Sequence, residues 1–115
     1  MSRRDDERLE DVIAAAEAIA SHLARGGLDD GLVFDAVRVR LIEIGEAVKD
    51  IDPDVLAGEP EIPWGDVAGM RDHLAHRYFD TAHSVVAATV DNDVPRLLAA
   101  ARRLLDRMTP TEPNT

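Results

Sequence analysis

The spacing of apolar residues constrains this chain most, because it recurs at three- and four-residue intervals along most of its length. Leu9, Val12, Ile13, Ala16, Ile19, Ala20 and Leu23 share one helical face, while Glu10, Asp11, Glu17 and Ser21 fall elsewhere. This pattern predicts an amphipathic first helix, with Ser2 and Asp5 as a capping box and Gly26-Gly27 as the positive-φ stop. Leu32, Val33, Phe34, Val37, Leu41, Ile44 and Val48 cover a wider arc, which predicts a second helix set deepest in the fold and capped by Asp29 or Asp30. Gly45 inside that helix costs up to about 1 kcal/mol relative to Ala, a sacrifice that suits a point where another helix must come close.

Pro53 stops the second helix, and Pro53, Gly58, Pro60 and Pro63 make residues 51–63 a stiff connecting loop in this reading. Pro63 fits the first turn of a third helix from Trp64 to about Phe79, with Trp64 anchoring its start. Asp80 or Thr81 caps a fourth helix through Val85, Val86 and Val90. After a turn at Asp91-Asn92-Asp93, a fifth carries Leu97, Leu98, Leu104, Leu105 and Met108 inward. The expectation is an all-α bundle of four to five helices, forming one domain over residues 1–109 with a flexible tail at 110–115.

Composition narrows the chemistry. Aromatic residues make up only 3% of the 115, so the core must be aliphatic, which favours packed helices over a sheet. With no cysteine there can be no disulfide framework, thiol catalysis or thiolate zinc site. The N-terminus runs straight into charge, and no window approaches the roughly 20 apolar residues of a membrane span, so the expectation is a cytoplasmic protein without a membrane role. A formal charge of -10 repels phosphate backbones at long range, so broad electrostatic binding to nucleic acid, DNA included, is not expected. Locally the balance reverses: Arg71, His73, His76, Arg77 and His83 face only Asp72 and Asp80 between Gly69 and Ser84.

On a helix turning about 100° per residue, Val67, Met70 and Leu74 form one aliphatic face, and Arg71 and His76 flank the small Ala75 on another. Asp72 stands four residues before His76, in reach of its ring, and Tyr78 borders both faces. Arg offers a charged planar fork to phosphate oxygens, and His both takes and gives a proton near neutrality. Together they suit RNA cleavage without a metal: His76 assists attack by a ribose 2′-hydroxyl, Arg71 stabilises charge on the phosphoryl oxygens and Asp72 orients the imidazole. Taken alone, an Arg and a His on one exposed helical face are more often surface residues or members of a salt bridge. His73 and His83 read as solvated polar residues. A metal site built on His73, His76 and His83 lacks the spacing of a ligand triad.

The pattern Arg-x4-His-x-Tyr, met as Arg71, His76 and Tyr78, resembles the signature of HepT-like toxins, the DUF86 group of the HEPN superfamily. The segments Arg40 to Ala47, Ile62-Pro63-Trp64 and Gly69-Met70-Arg71 resemble further stretches of that group in the same order, so the likeness runs from about Leu9 to Met108. The resemblance implies a HEPN-like helical bundle that pairs as a homodimer, with Arg-His sites facing a shared cleft. It further implies a metal-independent endoribonuclease, needing no cofactor, that acts as the toxin of a type VII toxin-antitoxin system. The implied antitoxin is an MntA-like nucleotidyltransferase, which silences the toxin by moving AMP from ATP onto the tyrosine corresponding to Tyr78. Asp72 stands where the family often has Asn, and its added negative charge can orient His76 or pair with Arg71. The alternative is a weakly or non-catalytic HEPN module that binds and regulates a nucleotidyltransferase partner.

Overall fold

In the computed structural model, residues 3–76 and 79–108 are described, the side chains of residues 3, 73, 75, 76 and 79–85 excepted. Five helices of thirteen or more residues carry the fold among them: α1 (Arg3–Leu23), α2 (Gly31–Lys49), α4 (Trp64–His76), α5 (Phe79–Asn92) and α6 (Val94–Met108). A single four-residue turn, α3 (Pro53–Leu56), lies between α2 and α4. This is the all-α bundle expected from the apolar periodicity. No helix among the described residues is long and apolar enough to cross a membrane.

The second helix is central, as its broad apolar arc predicts, and packs against α1, α4 and α5, while α6 covers α1 and α5. Val37, Leu41 and Ile44 of α2 are fully buried, and Leu9, Val12 and Ile19 of α1, Leu74 of α4 and Val86 of α5 close on the same core. Burying a Leu or Ile side chain contributes roughly 1.5–3 kcal/mol, so these positions dominate the stability of the bundle.

Several local expectations are corrected. Residues 51–63 are not all loop: Asp52 accepts the Asp54 N–H at 2.9 Å and Pro53 occupies the first turn, which makes α3 a capped turn inside the proline-rich stretch. Asp30, not Asp29, caps α2, accepting the Leu32 N–H at 2.9 Å; Leu32 itself is 83% exposed, outside the core arc. Neither Gly26 nor Gly27 adopts the left-handed conformation; α1 ends through the Arg25 N–H on the His22 carbonyl, and Gly26 serves packing, since a Cβ there would stand 3.2 Å from Val33 Cγ2.

Small residues carry more of the packing than the apolar stripe predicts. Ala15 is buried where Ala20 is exposed, and α6 turns Val94, Leu97, Ala100, Ala101 and Leu104 inward while Leu98, Leu105 and Met108 are only partly covered. Alanines on the contact lines of α1 and α6 let the two helices approach closely, which shifts the buried stripe off the larger leucines. Trp64–His76 and Phe79–Asn92 are both helical, and the junction foreseen between the third and fourth helices, at residues 77 and 78, lies outside the described residues. The Ser2 cap and the tail at 110–115 lie outside the described residues.

The proline-rich segment is fastened twice at Glu59, through its carbonyl and its carboxylate. Trp64 donates its indole N–H to the Glu59 carbonyl at 3.0 Å, which anchors the start of α4. The Glu59 carboxylate, buried, accepts from Arg103 at 2.7 and 3.1 Å and from Arg107 at 2.6 Å, which ties the loop to α6. Hydrogen bonds from Arg103 and then from Arg107 outweigh burial and hold the Glu59 carboxyl at about 2, against its ordinary 4.5.

Candidate active site

Arg71, His73 and His76 of the cationic segment lie on α4, His83 falls on α5, and the second helix decides where α4 sits. At Gly45 the two backbones nearly touch: a Cβ there would meet the Arg71 amide nitrogen at 3.0 Å, the Arg71 Cβ at 3.1 Å and the Val67 carbonyl oxygen at 3.1 Å. This is the close approach for which a mid-helix glycine was expected. Leu74, buried one turn further on, locks the same face of α4 into the core. Arg38 of α2 then donates from Nη1 to the Leu74 carbonyl at 3.1 Å, a second tie between the two helices.

With its aliphatic face held down, α4 presents Arg71 on the rim. The guanidinium lies between two carboxylates: Nε faces Glu46 of α2, and Nη1 donates to Asp72 Oδ1 at 2.7 Å. All three groups are reached by solvent, with side-chain exposures of 39% for Arg71, 45% for Glu46 and 70% for Asp72. The Asp72 carboxylate is therefore turned toward Arg71, one of the two roles open to it. How it stands to the His76 imidazole lies outside the described side chains. The backbone of His76 ends α4, five residues after Arg71 on the same helix. Tyr78 lies outside the described residues, as do the side chains of His73 and His83.

Sequence reasoning missed Glu46 and Arg38. Both belong to α2 and act on α4 across the Gly45 contact, so nothing in local spacing pairs them with the signature. Glu46 does fall within the stretch Arg40 to Ala47 that resembles the HepT-like group, the single signal that pointed to it. Among the described residues no group of His, Asp and Glu side chains has the arrangement of a metal site.

A guanidinium at the surface whose Nη end is held by an exposed carboxylate can take up a phosphate there, because the anion replaces an exposed pair worth little in water. Comparison with known proteins places this chain in a family. The profile of the Ribonuclease HepT-like family matches residues 9–104, which contain α2, α4 and the whole signature. A probable ribonuclease HepT of Thermococcus cleftensis is 36% identical over 108 residues, covering 90% of this chain and 98% of the relative. A candidate RNase of Caldanaerobacter subterraneus is 34% identical over 70 residues, 60% of this chain and 62% of its own length. One from Methanocaldococcus jannaschii is 43% identical over 60 residues, about half of each chain. No solved structure matches the chain. With a family match across nearly all of the described bundle, and a relative that it spans almost end to end, the chain belongs to the HepT-like ribonuclease family.

Proposed function

We propose that this protein is a metal-independent endoribonuclease that cuts RNA with Arg71 and His76. One observation carries the reading: the family match spans α4, and on that helix Arg71 is presented half-exposed with its guanidinium engaged by solvent-reached carboxylates. In the reaction His76 takes the proton of a ribose 2′-hydroxyl as its oxygen attacks the adjacent phosphorus. The bond to the 5′ oxygen breaks, a 2′,3′-cyclic phosphate forms, and the departing oxygen gains a proton from solvent. Arg71 stabilises the charge that builds on the non-bridging oxygens. Against a net charge of -10, two copies of the cationic segment 69–84 meeting at a shared cleft would gather positive charge locally for RNA, so the working form in this proposal is a homodimer.

The same reading makes the protein the toxin of a type VII pair, active in the cytoplasm and silenced by an MntA-like nucleotidyltransferase. In that step the Tyr78 phenol oxygen attacks the α-phosphorus of ATP, pyrophosphate leaves, and the AMP phosphodiester occupies the donors of Arg71. His76→Ala is expected to lower cleavage of purified RNA by about 10²–10⁴-fold while the protein stays folded, as judged by circular dichroism. Wild-type cleavage by that variant would remove the assignment.

A second reading has support of its own. Two carboxylates on one guanidinium lower its availability to phosphate, as a weakly catalytic module that docks and regulates a nucleotidyltransferase would allow. Growth arrest on expression without the antitoxin, lost with Arg71→Ala, supports the enzyme; absence of arrest supports the module.

A further inference from the structure

We infer that Glu46 is a positioning residue for Arg71, fixing the plane of its guanidinium for phosphate, an inference that rests on the ribonuclease reading of Arg71. The two carboxylates on Arg71 engage different atoms and come from different places. Asp72 is the next residue on α4 and takes Nη1, at the outer end of the fork. Glu46 comes from α2 and takes Nε, where the fork joins the side chain. An anchor at Nε restrains the last rotations of a long, flexible side chain and leaves the Nη end to meet an incoming anion. A ligand at Nη1 competes with that anion instead.

The backbone makes this division possible. Gly45 lets α2 and α4 come together at Arg71 itself, so the carboxylate one position further along α2 spans to the guanidinium from a rigid neighbour. An anchor on a second packed helix holds direction better than one on the same turn, whose side chain moves with the residue that it grips. Both members of the Glu46–Arg71 pair are close to half-exposed, so the pair contributes little to folding and its loss is read in catalysis rather than in stability.

The test uses the full chain, unfractionated RNA for cleavage and a fully 2′-O-methylated RNA for binding. Glu46→Ala is expected to lower kcat by about tenfold or more, because small misplacements of a charge-stabilising group cost rate steeply. Its affinity for the methylated RNA stays within about twofold and its melting temperature is unchanged. Glu46→Gln keeps an acceptor oxygen and restores most of kcat. In an Arg71→Ala background, Glu46→Ala produces no additional loss, since it acts through the missing guanidinium. Wild-type kcat in Glu46→Ala, or an undiminished further loss without Arg71, overturns the inference. If Arg71→Ala itself cleaves at the wild-type rate, the ribonuclease reading of the site fails. If Arg71→Ala is inactive and Glu46→Ala is not, the role of Glu46 alone fails.

Discussion

Two arginine–carboxylate clusters in this molecule are built with opposite proportions. At the loop, one carboxylate, Glu59, is gripped by Arg103 and Arg107; at the rim of α4, one guanidinium, Arg71, lies between Glu46 and Asp72. Their exposure differs as much as their count. The Glu59 side chain is 11% exposed, while Arg71 is 39% and its Asp72 partner 70% exposed. A shielded carboxylate with two donors is a fastening, because withdrawing either donor leaves charge away from water. A solvent-reached guanidinium with two acceptors is a site held in readiness, since a phosphate can take the place of Asp72 at Nη1 at little cost.

The largest expected effect breaks this comparison directly. Arg71→Ala should lower RNA cleavage on the order of 10²–10³-fold, as for other removed oxyanion donors, and leave the melting temperature almost unmoved. Glu59→Ala should do the reverse, lowering the melting temperature by several degrees with kcat preserved, because it leaves two guanidinium groups facing each other at the loop. A protein in which both variants lose activity and stability alike would erase the distinction between fastening and site.

A smaller effect sharpens it. Gly45→Ala gains about 1 kcal/mol of helix propensity, yet the added methyl meets backbone atoms of α4 that cannot turn aside, and overpacking of this kind costs about 1–3 kcal/mol. The net destabilisation is therefore slight, whereas the displacement of Arg71 is direct, so cleavage should fall further than the melting temperature implies. Unchanged activity would show that the α2–α4 spacing does not govern the site.

The smallest effect is one of pH. Glu59 is held at about 2 in the folded protein against an ordinary 4.5, so it binds a proton more readily when unfolded. Its contribution to stability is therefore complete above about pH 4.5 and is lost as the pH falls toward about 2. Urea titrations across that window should show wild-type stability falling more steeply than that of Glu59→Gln; parallel curves would mean the fastening carries no proton linkage.

Much of this arrangement was legible in the order of residues, and what was not has a common cause. Apolar period gave the five long helices, and the cost of a mid-helix glycine pointed to the close approach at Gly45. The Arg-x4-His-x-Tyr spacing singled out α4. Hidden from local pattern were relations across the chain: Glu59 meets its arginines 44 and 48 residues away, and Arg38 meets the Leu74 carbonyl 36 residues away. Ala100 and Ala101 also escaped notice, because small side chains weigh little in a hydrophobic stripe and matter only once a second helix lies against them. The α3 turn was masked by prolines that break helices within and begin them at the edge.

The indole of Trp64, bonded to the Glu59 carbonyl, is the chain's single tryptophan, and it lies at the joint between the loop and α4. The chain's one indole fluorophore thus stands beside the fastening. Emission from this protein reports the seating of the loop without labels, and release of the loop is visible as a change of colour separate from the melting of the helices.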